Sequence, residues 1–392
     1  MKIGIVLAQP PGYSETFFNS KINGLQAQGF EVTLFCQQNR SDFTACQVKT
    51  FPAKKRNPIT LAFSFLTTYI SLLPYLRRIV KWYRLEKPSN FIKFLKRVYL
   101  NAPLLKADLD WLHFGFTTMA LGKEALAKVI GAQMAVSFRG YDINVYPKKH
   151  PSCYIKVWKH VDRVHAISNY LVKEAQKVGL HKSTSSHIIT PAVNVNKLQE
   201  LAPVTKINKS KLRLITIARM SWIKGLDFLI ETASQLKEKG VDFEWLIIGD
   251  GGNQEKERYL FHAYEKNLTG ELKFIGKKSH QETLTLLYSS DMYVQTSYNE
   301  GFCNAVLEAQ ALGKLCFAFD VGGLPENIIH KRTGWLVKAF DTIQLAEKII
   351  VVSQLSVEEK YAISTQAIER VQTEFNIEKQ QQAFVNFYQL PL

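Results

Sequence analysis

Residues 295–308 read Gln295-Thr296-Ser297-Tyr298-Asn299-Glu300-Gly301-Phe302-Cys303-Asn304-Ala305-Val306-Leu307-Glu308. Gln295-Thr296-Ser297 reads as the end of a buried strand. Gly301 permits a tight turn, and a helix is expected over residues 302–312. Such a turn presents backbone N–H groups at a helix N-terminus, which suits an anion or sugar oxygens. Glu300 stands just before that terminus. Glu308 lies about two turns inside, on the same broad face as Asn304. Two carboxylates flanking an N–H cluster can grip a polyhydroxylated ligand at two places. The plain alternative is a helix with a dipole-favourable Glu in front and an ordinary Glu within.

The strand–turn–helix unit recurs on both sides of this stretch. In the first half, strands are expected at 2–8, 31–36, 111–113, 135–138 and 163–166. One helix should span 14–28, closed by Gly29. Another should start at Asn169, with Ser168 as its N-cap and Gly179 at its end. A polar, Lys-rich stretch at 196–211 reads as a linker. The rhythm then restarts with strands at 212–217, 244–248, 272–275, 292–295 and 315–319, and a helix at 226–239. Alternation at this spacing means parallel sheets covered by helices. The expected fold is α/β, with two Rossmann-like doubly wound domains facing a cleft and ligands at the carboxyl ends of the strands.

A second informative segment is Ile217-Ala218-Arg219-Met220-Ser221-Trp222-Ile223-Lys224-Gly225, between a strand and a helix. Arg219 and Lys224 lie five apart in a loop at a strand's carboxyl end. A guanidinium offers a diphosphate two parallel bonds, and an ammonium offers a point charge. A solvated basic loop is the bland reading in a chain of net charge +16.

Together these segments resemble the family 4 retaining glycosyltransferases of the GT-B fold. Glu300 to Glu308, followed by Ala309, match its Glu-x7-Glu signature. Ala218-Arg219 to Lys224-Gly225 match its Arg-x4-Lys-Gly segment, and Gly322-Gly323-Leu324-Pro325-Glu326 its Gly-Gly-x-x-Glu turn. Ser14-Glu15-Thr16-Phe17, after Pro10-Pro11-Gly12, is similar to the exopolysaccharide and lipopolysaccharide branch. The resemblance implies transfer of a sugar from a UDP- or GDP-linked donor, with retention and without a metal, to a glycan or polyprenyl-linked acceptor. By the same analogy Arg219 and Lys224 neutralise the departing diphosphate, Glu300 binds donor-sugar hydroxyls and Glu308 the ribose. The backbone at Gly301, Phe302, Cys303 and Asn304 meets sugar or phosphate. Gly12 lets its loop approach the diphosphate, and Ile275–Lys277 flank the base. The resemblance places residues 1–200 as an acceptor-side domain and 211–375 as a nucleotide-sugar domain. The last helix, 376–392, returns to the first domain and acts as a hinge for closure.

One position departs from the family's His-Gly-x-Asp motif, which here reads Arg139-Gly140-Tyr141-Asp142. An always-charged fork of donors in that place either pairs with a carboxylate on an acidic donor sugar or bonds neutral hydroxyls or backbone. Asp108-Leu109-Asp110 fits a metal-binding Asp-x-Asp pattern, but two carboxylates are a poor cage for a hard cation. Gly249-Asp250-Gly251-Gly252 lacks the third glycine of a dinucleotide fingerprint. His113 and Ala192-Val193-Asn194 read as structural. The five cysteines are scattered without metal-ligand spacing, which favours a reducing compartment.

Charge is concentrated between Phe51 and Lys106. Twelve basic residues stand there against one acid, Glu86, so this stretch carries +11 of the net +16. It also contains an eighteen-residue uncharged run, Ile59 to Leu76. Length admits a membrane span, but five Ser or Thr, Pro74 and basic flanks on both sides argue against one. The run reads as a helix lying on an anionic membrane surface through residues 54–97. A buried helix beside a solvated basic face is the other reading. No nucleic-acid motif accompanies the charge. The opening Ile3-Gly4-Ile5-Val6-Leu7 reads as a first strand, not as the apolar core of a secretion signal. The expected location is therefore cytoplasmic, peripheral on the inner face of the membrane. Two other functions remain on this evidence: a catalytically silent binding module of the same fold, and a nucleotide-sugar epimerase.

Overall fold

The computed structural model describes residues 1–12, 16–39, 42–53, 57–200 and 211–391. It divides into two units, residues 1–189 with 380–392, and residues 190–379.

The first unit is built on seven strands: β1 (Lys2–Val6), β2 (Glu31–Cys36), β3 (Gln47–Thr50), β4 (Trp111–Phe114), β5 (Gln133–Phe138), β6 (Arg163–Ala166) and β7 (Ser185–Ile188). They run parallel in the order β3-β2-β1-β4-β5-β6-β7. The central strands are apolar runs because helices cover both faces. All four residues of β4 and five of the six in β5 are buried. The helix Thr16–Ala27 follows β1, and the expected residues Ser14 and Glu15 before it lie outside the described residues.

The C-terminal helix Ile377–Gln389 completes this unit, with Phe384, Val385, Phe387 and Tyr388 in the core. Its exposed carbonyls find a cation. Buried Arg163 donates to the carbonyls of Phe387, Leu390 (3.0 Å) and Pro391 (2.9 Å). A charged donor at the last turn satisfies orphan carbonyls and opposes the helix dipole.

The second unit holds six parallel strands: β8 (Leu212–Ile217), β9 (Phe243–Ile248), β10 (Leu272–Gly276), β11 (Met292–Gln295), β12 (Leu315–Phe319) and β13 (Trp335–Val337), in the order β10-β9-β8-β11-β12-β13. The chain thus works outward from β8 in one direction and from β11 in the other. The connections leaving these strands lead to opposite edges of the sheet, a switch point that puts the crevice of such a sheet at their carboxyl ends.

The division between the units falls at Thr190, not at the expected linker. Residues 195–200 form the helix Val195–Glu200, and the rest of the linker, 201–210, lies outside the described residues. The Val193 N–H donates to the Phe375 carbonyl (2.9 Å), and the Gln199 amide to that of Ala311 (3.3 Å). These bonds hold the segment after β7 to the second unit.

Candidate active site

The quoted stretch lies beside that crevice. Gln295 ends β11, and residues 296–303 form the corner. The helix runs from Asn304 to Ala311, starting two residues later and ending one residue earlier than the sequence indicates. The delay has a local cause. The Cys303 N–H donates to Asn327 Oδ1 (2.9 Å), and Asn327 Nδ2 donates back to the Cys303 carbonyl (3.1 Å). This reciprocal pair holds Cys303 extended as the N-cap. It also engages the Cys303 N–H, one of the backbone donors expected to meet a ligand. The thiol is buried, which pushes it up to about 12, so it is a neutral packing group.

The left-handed glycine of this corner is Gly322 (φ +58), not Gly301. A Cβ at Gly322 would stand 2.3 Å from the Glu300 carbonyl, and the Gly323 N–H donates to the same oxygen at 2.8 Å. The Gly-Gly turn therefore presses on the backbone of Glu300 and fixes where its side chain starts. Gly225 does the same for the basic loop. Its Cβ would stand 2.1 Å from the Thr296 carbonyl, at φ +62, so only glycine brings the loop after β8 this close to the loop after β11.

These contacts bring two expected residues together. Lys224 Nζ donates to Glu300 Oε1 at 2.5 Å, between side chains 19% and 10% exposed. Burial on its own would push the ammonium down. The Glu300 carboxylate, bonded to it directly, works against burial, and Lys224 stands above its ordinary value. Ser297 Oγ (2.7 Å) and Gln295 Nε2 (3.3 Å) donate to the same carboxylate oxygen. Tyr293 donates to Gln295 Oε1. Arg219 is exposed on the same loop as Lys224, and its charge opposes that of Lys224. Two cations thus stand beside one buried carboxylate and a helix N-terminus, and such a group can bind an anion and a hydroxylated ring side by side.

Glu308 points to a different partner. His280 Nε2 lies 3.0 Å from Glu308 Oε1. His280 is the first residue of the helix His280–Tyr288, which Ser279 and Glu282 close with a capping box. The Glu308 hydrogen bond raises the imidazole above its ordinary value, burial lowers it, and Lys197 works against the rise. Ile275, half-buried, lies one residue before the end of β10, the strand that leads into the helix of His280.

In the first unit the loops after β1, β4 and β5 converge. The Arg139 guanidinium lies 4.1 Å from the Phe17 ring centre and 4.9 Å from that of Phe18, a cation–π arrangement. Buried Asp142 accepts from the N–H groups of Thr117 (3.1 Å), Arg139 (3.0 Å) and Gly140 (3.0 Å). It is the tie that shapes this loop. Burial raises its carboxyl in spite of those donors. The Gly12 carbonyl accepts from Asn19 Nδ2 at 3.2 Å.

The weak motifs have structural roles. Asp108 pairs with Lys2 Nζ (2.7 Å), and Asp110 accepts from the Lys2 N–H (2.6 Å), which fastens the start of β1. In the loop of Gly249 to Gly252, the Asp250 carbonyl accepts from the Met220 N–H (3.0 Å) and so supports the Arg219 loop. His113 is buried in the core of the first unit.

Four residues of the site escape a reading of the sequence: Gln295 and Ser297 on Glu300, Asn327 on Cys303, and His280 on Glu308. Gln295 carried a signal, a polar residue at the inner end of an apolar strand. His280 carried none, being 28 residues from its partner.

Comparison with known proteins agrees with this geometry. Residues 199–370 match the family described as Glycosyl transferases group 1. The chain is 27% identical over 398 residues to the putative colanic acid biosynthesis glycosyltransferase WcaL of Escherichia coli (strain K12), covering 96% of each. It is 27% identical over 295 residues to the amylovoran biosynthesis glycosyltransferase AmsK of Erwinia amylovora, covering 71% of this chain and 69% of that one. Among solved structures, Anabaena Alr3699/HepE in complex with UDP superposes with a TM-score of 0.72 at 13% identity, over 98% of both chains. At that identity the likeness is one of fold.

Proposed function

This chain is a glycosyltransferase of the GT-B fold, from the exopolysaccharide and lipopolysaccharide branch, and on that premise we propose that it moves a sugar from a UDP- or GDP-linked donor to a glycan or polyprenyl-linked acceptor, with retention and without a metal. The observation that carries this reading is the Lys224–Glu300 pair at the carboxyl ends of β8 and β11. In the reaction the bond from the anomeric carbon to the diphosphate breaks, and a bond to the acceptor oxygen forms on the same face. The negative charge that develops lands on the diphosphate. Arg219 grips it through two donors, and Lys224, held charged by Glu300, meets it without rearranging. Glu300 accepts from the sugar hydroxyls. Glu308 accepts from the ribose, and the start of the helix Asn304–Ala311 supplies further positive potential.

The test is nucleotide release from a panel of UDP-, GDP-, ADP- and TDP-sugars, with a lipid extract as acceptor source and Glu300→Ala as control. One donor should turn over and the control should be silent. Binding of donors without turnover under every condition would instead make the chain a silent binding module. Turnover without any acceptor would make it an epimerase.

The second carboxylate gives a separate prediction. His280→Gln is expected to raise the donor KM about fivefold, the value of one ordinary hydrogen bond of about 1 kcal/mol, and to leave kcat within about twofold. In the wild type His280 holds Glu308 as an ion pair below its raised value, so donor KM should climb as pH rises through that value. The variant should show a flat profile. Equal profiles for the two proteins would remove His280 from the site.

A further inference from the structure

Residues 58–86 form one helical run, Pro58–Leu72, Leu73–Tyr75 and Leu76–Glu86, started by Asn57, whose side chain caps the Ile59 N–H. It is long and apolar enough to cross a membrane, yet only 6% of its most apolar window is buried. One side is fixed to the first unit. Leu72 and Trp82 are fully buried, the Phe65 ring stacks on Tyr99 at 3.9 Å, and the Tyr69 hydroxyl donates to the Leu95 carbonyl (2.7 Å). The opposite side carries Ile59, Phe63, Leu66, Ile70, Leu73 and Leu76, each more than half exposed. Their spacing of three and four residues puts them in one line along the helix. Phe91 and Ile92, at the start of the next helix, are exposed as well.

Basic groups stand next to this stripe. Arg77, Arg84, Lys87, Lys93 and Lys96 are exposed. Glu86, the lone acid between Pro58 and Lys106, is already paired with Arg97 and bonded by Trp82. A bare apolar stripe of this length needs a cover. A second copy of the same helix would set like charges against each other, whereas an anionic bilayer offers both an apolar phase and counter-charge. A span would strip Trp82, Leu72 and Phe65 from their packing.

We propose that this face is a membrane-docking surface. It lies flat in the interface of an anionic bilayer, with the stripe at the acyl boundary and the basic residues on lipid phosphates. The proposal stands on the surface alone and is tested without donor or acceptor. The purified chain is floated with vesicles of phosphatidylcholine alone or with 30% phosphatidylglycerol. Binding should be at least tenfold stronger on the anionic vesicles and should fall in high salt. Phe63→Ser with Ile70→Ser, both exposed, should weaken it at least tenfold with the melting temperature unchanged. Arg84→Gln with Lys87→Gln should weaken it about 25-fold, about fivefold per charge, and serves if the first pair misfolds. Four results would overturn the proposal: no flotation with anionic vesicles, equal binding by the charge variant, a dimer in solution that Phe63→Ser dissolves, or resistance to alkaline carbonate extraction.

Discussion

Lys224→Ala is expected to lower kcat about 10³-fold and the melting temperature of the second unit by about 4–8 °C. The two losses have different origins. Removing a preorganised charge that meets a developing anion costs about 10²–10³ in rate. The loss should fall in kcat because the diphosphate gains charge only as the bond breaks. The stability loss comes from Glu300. Breaking a buried ion pair by deleting one partner costs about 3–5 kcal/mol, because the other charge stays buried. Here the two side chains keep 19% and 10% of their exposure, and Ser297 and Gln295 still donate to Glu300. About 2 kcal/mol is therefore the better figure, and in a unit of this size each kcal/mol moves the midpoint by about 2–4 °C. A double variant separates the two effects. Adding Glu300→Gln to Lys224→Ala should restore most of the melting temperature, since no unpaired charge remains, and none of the activity. Measuring both by calorimetry and nucleotide release decides the matter. If Lys224→Ala melts lower but turns over normally, Lys224 is a structural cation and the reaction scheme fails at its first residue.

The apolar strands were legible because burial on both faces leaves little choice of residue. β2, β6, β8, β11 and β12 fall at the expected positions. β3, β7 and β13 were not read from the sequence. Each is at the edge of its sheet. The first two read Gln47-Val48-Lys49-Thr50 and Ser185-Ser186-His187-Ile188, with no fully buried residue in either. These two edge strands pair on one side and face solvent, so their composition resembles a loop, whereas β13 is apolar Trp335-Leu336-Val337 and only three residues long, too short to read as a strand.

The site divides along a similar line. Arg219, Lys224 and Glu300 were visible because each is a charged residue in a loop that follows an apolar strand, and Glu308 because it stands eight residues after Glu300 on the helix that this loop starts. Their partners were not, because pairing across a sheet depends on strand order. Lys224 and Glu300 are 76 residues apart and meet only because β8 lies beside β11. His280 reaches Glu308 through the helix that follows β10. Cys303 shows the opposite case. Its backbone donor looked available in the sequence, and only the structure reveals that Asn327 engages it.

Acidification from pH 6.5 to 5.5 should destabilise the first unit by about 2 kcal/mol. The cause is a buried chain of polar groups that no charge pattern announced. The Tyr388 hydroxyl donates to His113 Nδ1 (2.6 Å), and His113 Nε2–H donates to Ser137 Oγ (2.7 Å). The Ser137 hydroxyl donates to His165 Nδ1 (2.9 Å), and His165 Nε2–H to the Ile189 carbonyl (3.0 Å). Every donor faces an acceptor only when both imidazoles are neutral. A proton added at either ring places donor against donor in a site without water access, and such a clash is costly. Lys21 Nζ, itself 1% exposed, stands 3.2 Å from His113 Nδ1. Burial holds both histidines well below their ordinary value, and Lys21 pushes further in the same direction. Arg139 and His187 add to the effect at His165. The unfolded chain takes up these protons near pH 6.5 and the native chain does not. Stability is therefore whole well above that pH and is lost below it, by about 1 kcal/mol for each ring over the first pH unit, the slope approaching about 1.4 kcal/mol per unit at lower pH. Two rings over one unit give the figure above, or about 4–8 °C in the midpoint. His165→Gln should halve the slope measured by calorimetry against the wild type, since all other groups are shared. Lys21 is the complementary test. Burial lowers its ammonium far below the ordinary value, with Arg139 adding to the effect, so the fold bears a cost of burying an amine that an apolar side chain would not. Lys21→Met keeps the Tyr388–His113 bond and most of the volume, and should raise stability by about 2 kcal/mol. An unchanged slope in His165→Gln, or a lower melting point in Lys21→Met, would mean that water or an acid reaches the chain and that its groups titrate as ordinary ones.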